Sequence, residues 1–188
     1  FVQDDLGCIQ TYIATIIDSS TLTASFSNVS NVSCNGFANG SLDVLVSGGS
    51  PLYTYSLNQG ASQNGSQFNS LSPGAYQIII TDSTGCTFQL DTSITEPSLL
   101  SITELSNISS ICAQANGEVE INATGGTPSY TYSIDSINYS NSGLFTNLSA
   151  GTYTLFAMDS LGCIESHTSI ILDQSTLTGS FISVTNVS

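Results

Sequence analysis

The stretch Asn39-Gly-Ser-Leu-Asp-Val-Leu-Val-Ser-Gly-Gly-Ser-Pro-Leu-Tyr-Thr-Tyr-Ser56 returns as Asn116-Gly-Glu-Val-Glu-Ile-Asn-Ala-Thr-Gly-Gly-Thr-Pro-Ser-Tyr-Thr-Tyr-Ser133, 77 residues further on. Self-similarity at a fixed offset means that one supersecondary unit is used again. Within it Leu42, Val44 and Val46 alternate with Asp43, and Val119, Ile121 and Ala123 alternate with Glu118, Glu120 and Asn122. A period of two with one polar face predicts a half-buried strand. The Gly-Gly-Ser/Thr-Pro that follows is turn chemistry, and Tyr-Thr-Tyr opens the next strand.

Outward from this core, the same offset carries Leu71-Ser-Pro-Gly-Ala-Tyr76 onto Leu148-Ser-Ala-Gly-Thr-Tyr153, and Asp82-Ser-Thr-Gly-Cys86 onto Asp159-Ser-Leu-Gly-Cys163; Asp4-Asp-Leu-Gly-Cys8 is a third copy of the latter. Thr21 to Ser33 returns as Thr176 to Ser188 with nine of thirteen positions identical, which suggests a two-domain super-repeat of 155 residues. Six or seven short strands per period, with turns about every ten residues, predict an all-β fold of tandem immunoglobulin-like antiparallel β-sandwich repeats. The expected division is 1–20 as the last strands of a preceding repeat, 21–98 and 99–175 as two sandwiches, and 176–188 as the first strand of a following repeat. No segment reads as a capped amphipathic helix. Joints after Glu96-Pro97 and Asp173-Gln174 have hardly any linker, so the expected shape is a rod gaining roughly 35–40 Å per sandwich at ~3.3 Å per strand residue. Leu71-x-x-Gly74-x-Tyr76 and Leu148-x-x-Gly151-x-Tyr153 fit tyrosine corners, in which the hydroxyl bonds back to the chain entering the sixth strand.

Charge narrows the function classes. The chain has 14 acids, neither Lys nor Arg, and a net charge of −14, with only 7% charged residues against about a quarter in an average domain. Side-chain ion pairs are limited to those of His167, so cohesion must come from apolar burial, backbone ladders and cross-links. Nucleic acid is excluded as a partner, because binding phosphate backbones requires basic residues to release counterions, and anionic membranes are disfavoured on the same ground. A hydrophobic content of 40%, including eight Tyr and eight Phe, argues for a packed core over disorder. Catalysis is not expected: a hydrolase needs a nucleophile, a base and an orienting group together, and the lone His167 takes the strand position held by Leu90 in the other copy.

The five cysteines fall into two positional classes. Cys8, Cys86 and Cys163 follow the Asp-x-x-Gly turn, whereas Cys34 and Cys112 precede the second strand. No close Cys or His cluster of metal-binding spacing exists, so disulfides are expected, and with them an oxidising exterior. The favoured scheme joins Cys34 to Cys86 and Cys112 to Cys163 within repeats, with Cys8 paired outside the sequence. Each bridge would close about 50 residues and contribute roughly 4 kcal/mol in the loop-entropy model. The alternative joins Cys8 to Cys34 and Cys86 to Cys112 across joints; spacing alone does not choose.

The ordered set Cys34, Asn39-Gly-Ser, Gly48-Gly-Ser-Pro, Tyr53-Thr-Tyr, Leu71-Ser-Pro-Gly-Ala-Tyr76, Asp82-Ser-Thr-Gly-Cys86 and Glu96-Pro97 resembles the SprB-type repeat of giant cell-surface adhesins in gliding bacteria of the Bacteroidota. The resemblance covers nearly the whole chain. It implies a repetitive stalk in a very long secreted, cell-surface adhesin filament, exported by the type IX route and used in gliding motility or attachment. Expected partners are neighbouring repeats of the same chain and a surface polysaccharide or substratum. The readings from other classes are a self-assembling extracellular filament or sheath subunit, and a spacer module of a secreted hydrolase.

Three further sites are expectations. Asp4, Asp82 and Asp159 recur and are candidate calcium ligands, since oxygen donors are abundant; the same Asp-x-x-Gly pattern is also an ordinary hairpin turn with a capping Asp. No other cofactor is expected. Asp18, Glu96 and Asp173 recur ten residues after each Gly-Cys and are expected at the joints. Ser83, Ser136 and Ser160 sit in Asp-Ser-(Thr/Ile/Leu), which resembles the O-glycosylation sequon of Bacteroidota.

One outcome follows from composition alone. Trypsin should leave the chain uncut even when it is unfolded in urea, as read by intact mass; any internal tryptic cleavage contradicts the sequence.

Overall fold

A computed structural model describes residues 2–10 and 21–175. The expected first strand of a following repeat, 176–188, lies outside the described residues, as does Asp18. Fifteen strands and no helix occur among the described residues: β1 (Val2–Gln3), β2 (Ile9–Gln10), β3 (Thr23–Ser30), β4 (Gly40–Ser47), β5 (Thr54–Leu57), β6 (Ser62–Gln63), β7 (Gln67–Leu71), β8 (Gly74–Thr81), β9 (Thr87–Ile94), β10 (Ser101–Ile108), β11 (Gly117–Thr124), β12 (Thr131–Ser133), β13 (Leu144–Leu148), β14 (Gly151–Met158) and β15 (Ile164–Ile171).

The strands repeat as the sequence does. From the second strand onward the two sets start 77 residues apart, so Gly40–Ser47 returns as Gly117–Thr124 and Thr87–Ile94 as Ile164–Ile171. The first strand, Thr23–Ser30, returns 78 residues on as Ser101–Ile108. The one-residue difference is absorbed in the loop between, where Cys34-Asn-Gly-Phe-Ala-Asn-Gly40 is matched by the shorter Cys112-Ala-Gln-Ala-Asn-Gly117. Both first strands carry a bulge in the same stretch, between Phe26 and Asn28 and between Glu104 and Ser106.

The chain forms two compact units. Unit one comprises Phe1–Ser30, Ser41–Asn69 and Gly74–Ser93, and unit two Asn31–Gly40, Ser70–Pro73 and Ile94–Ser188. In unit one the sheets are ordered β3-β4-β7 and β6-β5-β8-β9; in unit two they are β10-β11-β13 and β12-β14-β15. Strands one, two and the one before the tyrosine corner therefore share a sheet, and the third, sixth and seventh positions share the other. That is the immunoglobulin-like A-B-E against C-F-G arrangement, without a strand D beside E among the described residues. The pairings are antiparallel. Unit one adds β6 at the edge of β5, pairing Tyr55 with Gln63; in unit two this strand is reduced to a single bridge between the equivalent Tyr132 and Ser140.

Alternation explains which face is inside. In unit two, Val119, Ile121 and Ala123 of β11 and Leu148 of β13 pack with Tyr132 of β12, Leu155 and Ala157 of β14, and Ile171 of β15. The intervening Glu118 and Glu120 are half-buried at most and Asn122 is exposed. Val119, Leu155 and Ala157 are fully sequestered from solvent, and burying a side chain the size of Val119 or Leu155 contributes about 1.5–3 kcal/mol relative to exposure. In unit one the buried positions are Leu42 and Val44 of β4, Phe68 of β7, Tyr55 of β5, and Ile78 and Ile80 of β8.

Tyr153 forms the expected corner: its hydroxyl donates at 2.9 Å to the carbonyl of Ser149, four residues upstream and just before β14.

Candidate functional site

The recurrent residues converge on the turn that joins the sixth and seventh strands. Asp82 sits between β8 and β9 with its N–H donating to the Cys86 carbonyl at 2.9 Å, and Gly85 N–H donates to the Asp82 carbonyl at 3.1 Å. Asp82 Oδ1 accepts the N–H groups of Thr84 and Cys86, each at 2.9 Å. Between β14 and β15, Asp159 repeats the pattern: its N–H reaches Cys163 O at 3.0 Å, Gly162 N–H reaches its carbonyl at 3.1 Å, and Oδ1 accepts Leu161 and Cys163 N–H at 2.9 Å each. Asp4 does the same between β1 and β2, accepting Leu6 and Cys8 N–H at 3.0 and 2.9 Å. The glycine of each turn has positive φ, 86° at Gly7, 88° at Gly85 and 83° at Gly162, which is why the Asp-x-x-Gly spacing is kept.

The second carboxylate oxygen reaches across to the Gly-Gly loop. Asp82 Oδ2 accepts Ser50 N–H at 2.9 Å and Asp159 Oδ2 accepts Thr127 N–H at 2.8 Å. The loop runs between the second and third strands, which lie in different sheets, so the aspartate ties that crossover to the hairpin. The glycine pair makes room for it. A Cβ on Gly126 would meet Asp159 Oδ2 at 2.6 Å, and one on Gly125 would meet the Leu99 carbonyl oxygen at 2.0 Å. Tyr53 and Tyr130 close the loop from the other side, their hydroxyls donating to the carbonyls of Gly48 and Gly125 at 2.7 and 2.6 Å.

Both aspartates are buried. A buried carboxylate is stable as an anion only when donors replace its hydration. Asp82 is held at about 2, below its ordinary 3.8, first by the Ser50 N–H, then by the Thr84 hydroxyl and the Cys86 and Thr84 N–H groups, against the opposing effect of burial. Among the described residues no cluster of three or more His, Cys, Asp or Glu side chains of metal-binding geometry occurs. Asp4 Oδ1 and both carboxylate oxygens of Asp82 and Asp159, the candidate calcium ligands, accept backbone N–H groups.

The acids expected at the joints anchor the loops that carry Cys34 and Cys112. Glu96 Oε2 accepts Gly36 N–H at 2.7 Å, with Asn35 Nδ2 donating to Pro97 O at 3.0 Å. Asp173 Oδ1 accepts Ala113 N–H at 3.3 Å; the Ser175 hydroxyl, followed by that N–H, holds its carboxyl below the usual range. Equivalent backbone bonds run from Val32 N–H to Thr95 O at 3.2 Å and from Ser110 N–H to Leu172 O at 2.8 Å.

The disulfide pairing corrects the expectation. Cys34 is bonded to Cys163, with an S–S distance of 2.06 Å and Cα atoms 5.7 Å apart, while Cys8, Cys86 and Cys112 are exposed free thiols. Neither the within-repeat pairs Cys34–Cys86 and Cys112–Cys163 nor the alternative Cys8–Cys34 and Cys86–Cys112 is formed. The cause is the anchoring just described: residues 31–40 fold with unit two, so Cys34 meets the Gly162-Cys163 turn of the second sequence repeat. The two positional classes do pair, but across a repeat. The bond closes 129 residues, worth about 5 kcal/mol in the loop-entropy model.

His167 lies on β15 opposite Leu155, with Nε2 3.3 Å from Glu104 Oε2. Although burial pushes the Glu104 carboxyl up, hydrogen bonds from Ser169, Asn107 and His167 together hold it below its ordinary value. Ser83, Ser136 and Ser160 are all exposed. The hydroxyls of Ser83 and Ser160 donate to loop carbonyls, of Ser50 at 3.4 Å and of Thr127 and Pro128 at 3.0 Å each.

Compared with known proteins, the chain matches the SprB repeat family model twice, over residues 26–62 and 108–138, consistent with a SprB-type repeat. Among curated proteins, no sequence matches it. Solved structures with a similar trace include the C-terminal 282-residue fragment of intimin in complex with the intimin-binding domain of its translocated receptor, at 15% identity and TM-score 0.40 over 83% of this chain and 64% of that one. A Dscam structure bearing on isoform specificity has 12% identity and TM-score 0.36 over 83% of this chain and 47% of its own. The insect immune protein hemolin has 13% identity and TM-score 0.36 over 87% and 49%. The chain thus spans less than two thirds of each of these structures, and the immunoglobulin-like assignment rests on its own strand order.

The turn geometry fixes a pH response. Because Asp82 is held below its ordinary pKa, its contribution to stability is complete above about pH 3.8 and is lost as pH falls through about 2. Carbon-detected NMR of the Asp82 side-chain carboxyl should give a midpoint near 2. A midpoint at the ordinary value would remove the anion from the turn.

Proposed function

We propose that the chain is a segment of the load-bearing stalk of an extracellular adhesin, one of whose uses is attachment or gliding over a surface. The observation that carries this reading is the repetition itself: two SprB-type repeats with the same strand order and the same aspartate turn, joined with scarcely any linker. A disulfide fits an oxidising exterior. The repeat is a structural module, and no constellation of catalytic groups surrounds His167 among the described residues.

The way the second repeat ends suits tension. Ser110 and Asp173 form a parallel bridge, with Ser110 N–H bonded to Leu172 O and Gln174 N–H bonded to Ser110 O, each at 2.8 Å. Asn107 Nδ2 adds bonds to Ser169 Oγ and Ile170 O at 3.0 and 3.2 Å. These bonds join the entering and leaving segments of the unit. Parallel segments pulled apart by their opposite ends slide, so the bonds between them are loaded together instead of being unzipped one at a time. The anionic surface, with no basic residue to counter it, keeps neighbouring filaments apart and suits a partner such as a neutral polysaccharide or an uncharged substratum, met at the exposed strand faces. Exposed Ser83, Ser136 and Ser160 are where O-linked glycans would be attached.

Immunogold labelling of intact cells with antibody raised against residues 21–175, viewed by electron microscopy, tests the reading. Label repeated along continuous surface filaments is the expected result. Label confined to the cell interior overturns it, and short protomers joined without covalent continuity replace it with the self-assembling subunit.

A further inference from the structure

The disulfide joins one member of each cysteine class, and it does so across one repeat: the residue before the second strand of the first repeat, Cys34, to the residue after the Asp-x-x-Gly turn of the second, Cys163. Cys112 is the second repeat's copy of Cys34, and Cys86 is the first repeat's copy of Cys163. Both are exposed and unbonded here. The Cys86 turn repeats the Cys163 turn, whereas in the shorter Cys112 loop the turn that Cys34 O opens by accepting Phe37 N–H is opened by Ile111 O accepting Gln114 N–H, which leaves Cys112 at φ 57°. The Cys86 turn has the same hydrogen bonds to Asp82 that the Cys163 turn has to Asp159. The Cys112 loop is bonded through Ser110 and Ala113 to Leu172 and Asp173 as the Cys34 loop is bonded through Val32 and Gly36 to Thr95 and Glu96. Each of the two thiols is therefore the sequence copy of a bonded one, Cys86 in the same turn as Cys163 and Cys112 in a loop held at the same anchor as that of Cys34.

We infer that Cys34–Cys163 is one rung of a disulfide ladder. Cys112 bonds to the cysteine after the Asp-x-x-Gly turn of the next SprB-type repeat along the same polypeptide, and Cys86 bonds to the cysteine before the second strand of the repeat preceding it. Each rung forms by exchange with a disulfide oxidant, such as oxidised glutathione or a disulfide-bearing oxidoreductase. The two cysteine S–H bonds and the oxidant's S–S bond break; a new S–S bond forms, and the oxidant leaves as two thiols carrying the two protons and two electrons. Because each rung spans more than one period, successive covalent loops overlap. A repeat could then be pulled out of the stack only by breaking a sulfur–sulfur bond. This inference stands whether or not the filament is adhesive.

The test extends the full chain. Ser188 is the sequence counterpart of Ser33, so a second copy of residues 34–188 joined directly after Ser188 continues the repeat without a seam and raises the cysteines from five to nine. Both chains are refolded in a glutathione redox buffer, free thiols are counted after unfolding, and bridges are mapped with a non-tryptic protease. The ladder predicts three free thiols in the original chain and still three in the extended one, with Cys112 joined to the second-copy Cys86 and no disulfide-linked dimer in the non-reduced sample. Cys112→Ser in the extended chain should raise the count to four. A count of one with Cys34–Cys86 and Cys112–Cys163 pairs, a count of five, or bridges that link separate molecules would each overturn the ladder.

Discussion

The constraint on which the rest of the structure depends is that a chain without Lys or Arg must solvate its buried carboxylates with its own backbone. Asp82 and Asp159 lie inside, where an anion without donors would be expensive, and amide N–H groups supply the donors. Each carboxylate gathers two N–H groups from its own hairpin on one oxygen and one from the Gly-Gly loop on the other. The same bonds that keep the charge stable therefore hold a loop crossing between sheets to a turn that connects two strands of one sheet. The glycine pair, the Asp-x-x-Gly spacing and the tyrosine that bonds the first glycine carbonyl are consequences of fitting this arrangement into a small sandwich.

Much of the architecture was legible because two-residue alternation is a direct image of a half-buried strand. The stretches around Leu42 and Val119 became β4 and β11, with their apolar residues inside. Repetition did the rest, since a pattern seen twice with its turns at the same spacing has few readings. What alternation does not carry is steric detail. Gly48-Gly49 reads as a turn, but the closeness of the Thr21 carbonyl, which would meet a Cβ on Gly48 at 2.1 Å, is visible only in three dimensions. The third strand pair likewise differs between copies, β6 being replaced by a single bridge in unit two, although the two sequences match well around Tyr55 and Tyr132.

The cysteine partners were not legible for a different reason. Sequence places Cys34 beside one strand and Cys163 beside one turn, but which turn it meets depends on where a ten-residue segment packs. That choice is made by Glu96, Pro97 and Thr95, whose contacts with Gly36, Asn35, Asn31 and Val32 hold the segment at the start of the second sequence repeat. The sequence shows the joint acids only as recurrent; their part in steering a disulfide lies in the contacts of Glu96 and Pro97 with Gly36 and Asn35. The repeat boundary in sequence therefore differs from the boundary of the compact unit, which takes in Asn31–Gly40.

The most direct test of the aspartate's role is native-state hydrogen exchange at the Val119 and Leu155 amides of the full chain, compared between Asp159→Ala and Glu165→Ala. Removing the Asp159 carboxylate orphans the N–H groups of Thr127, Leu161 and Cys163, so protection should fall by about 1–3 kcal/mol, while the exposed Glu165 should cost no more than about 0.5 kcal/mol. Equal protection in the two variants would contradict the account.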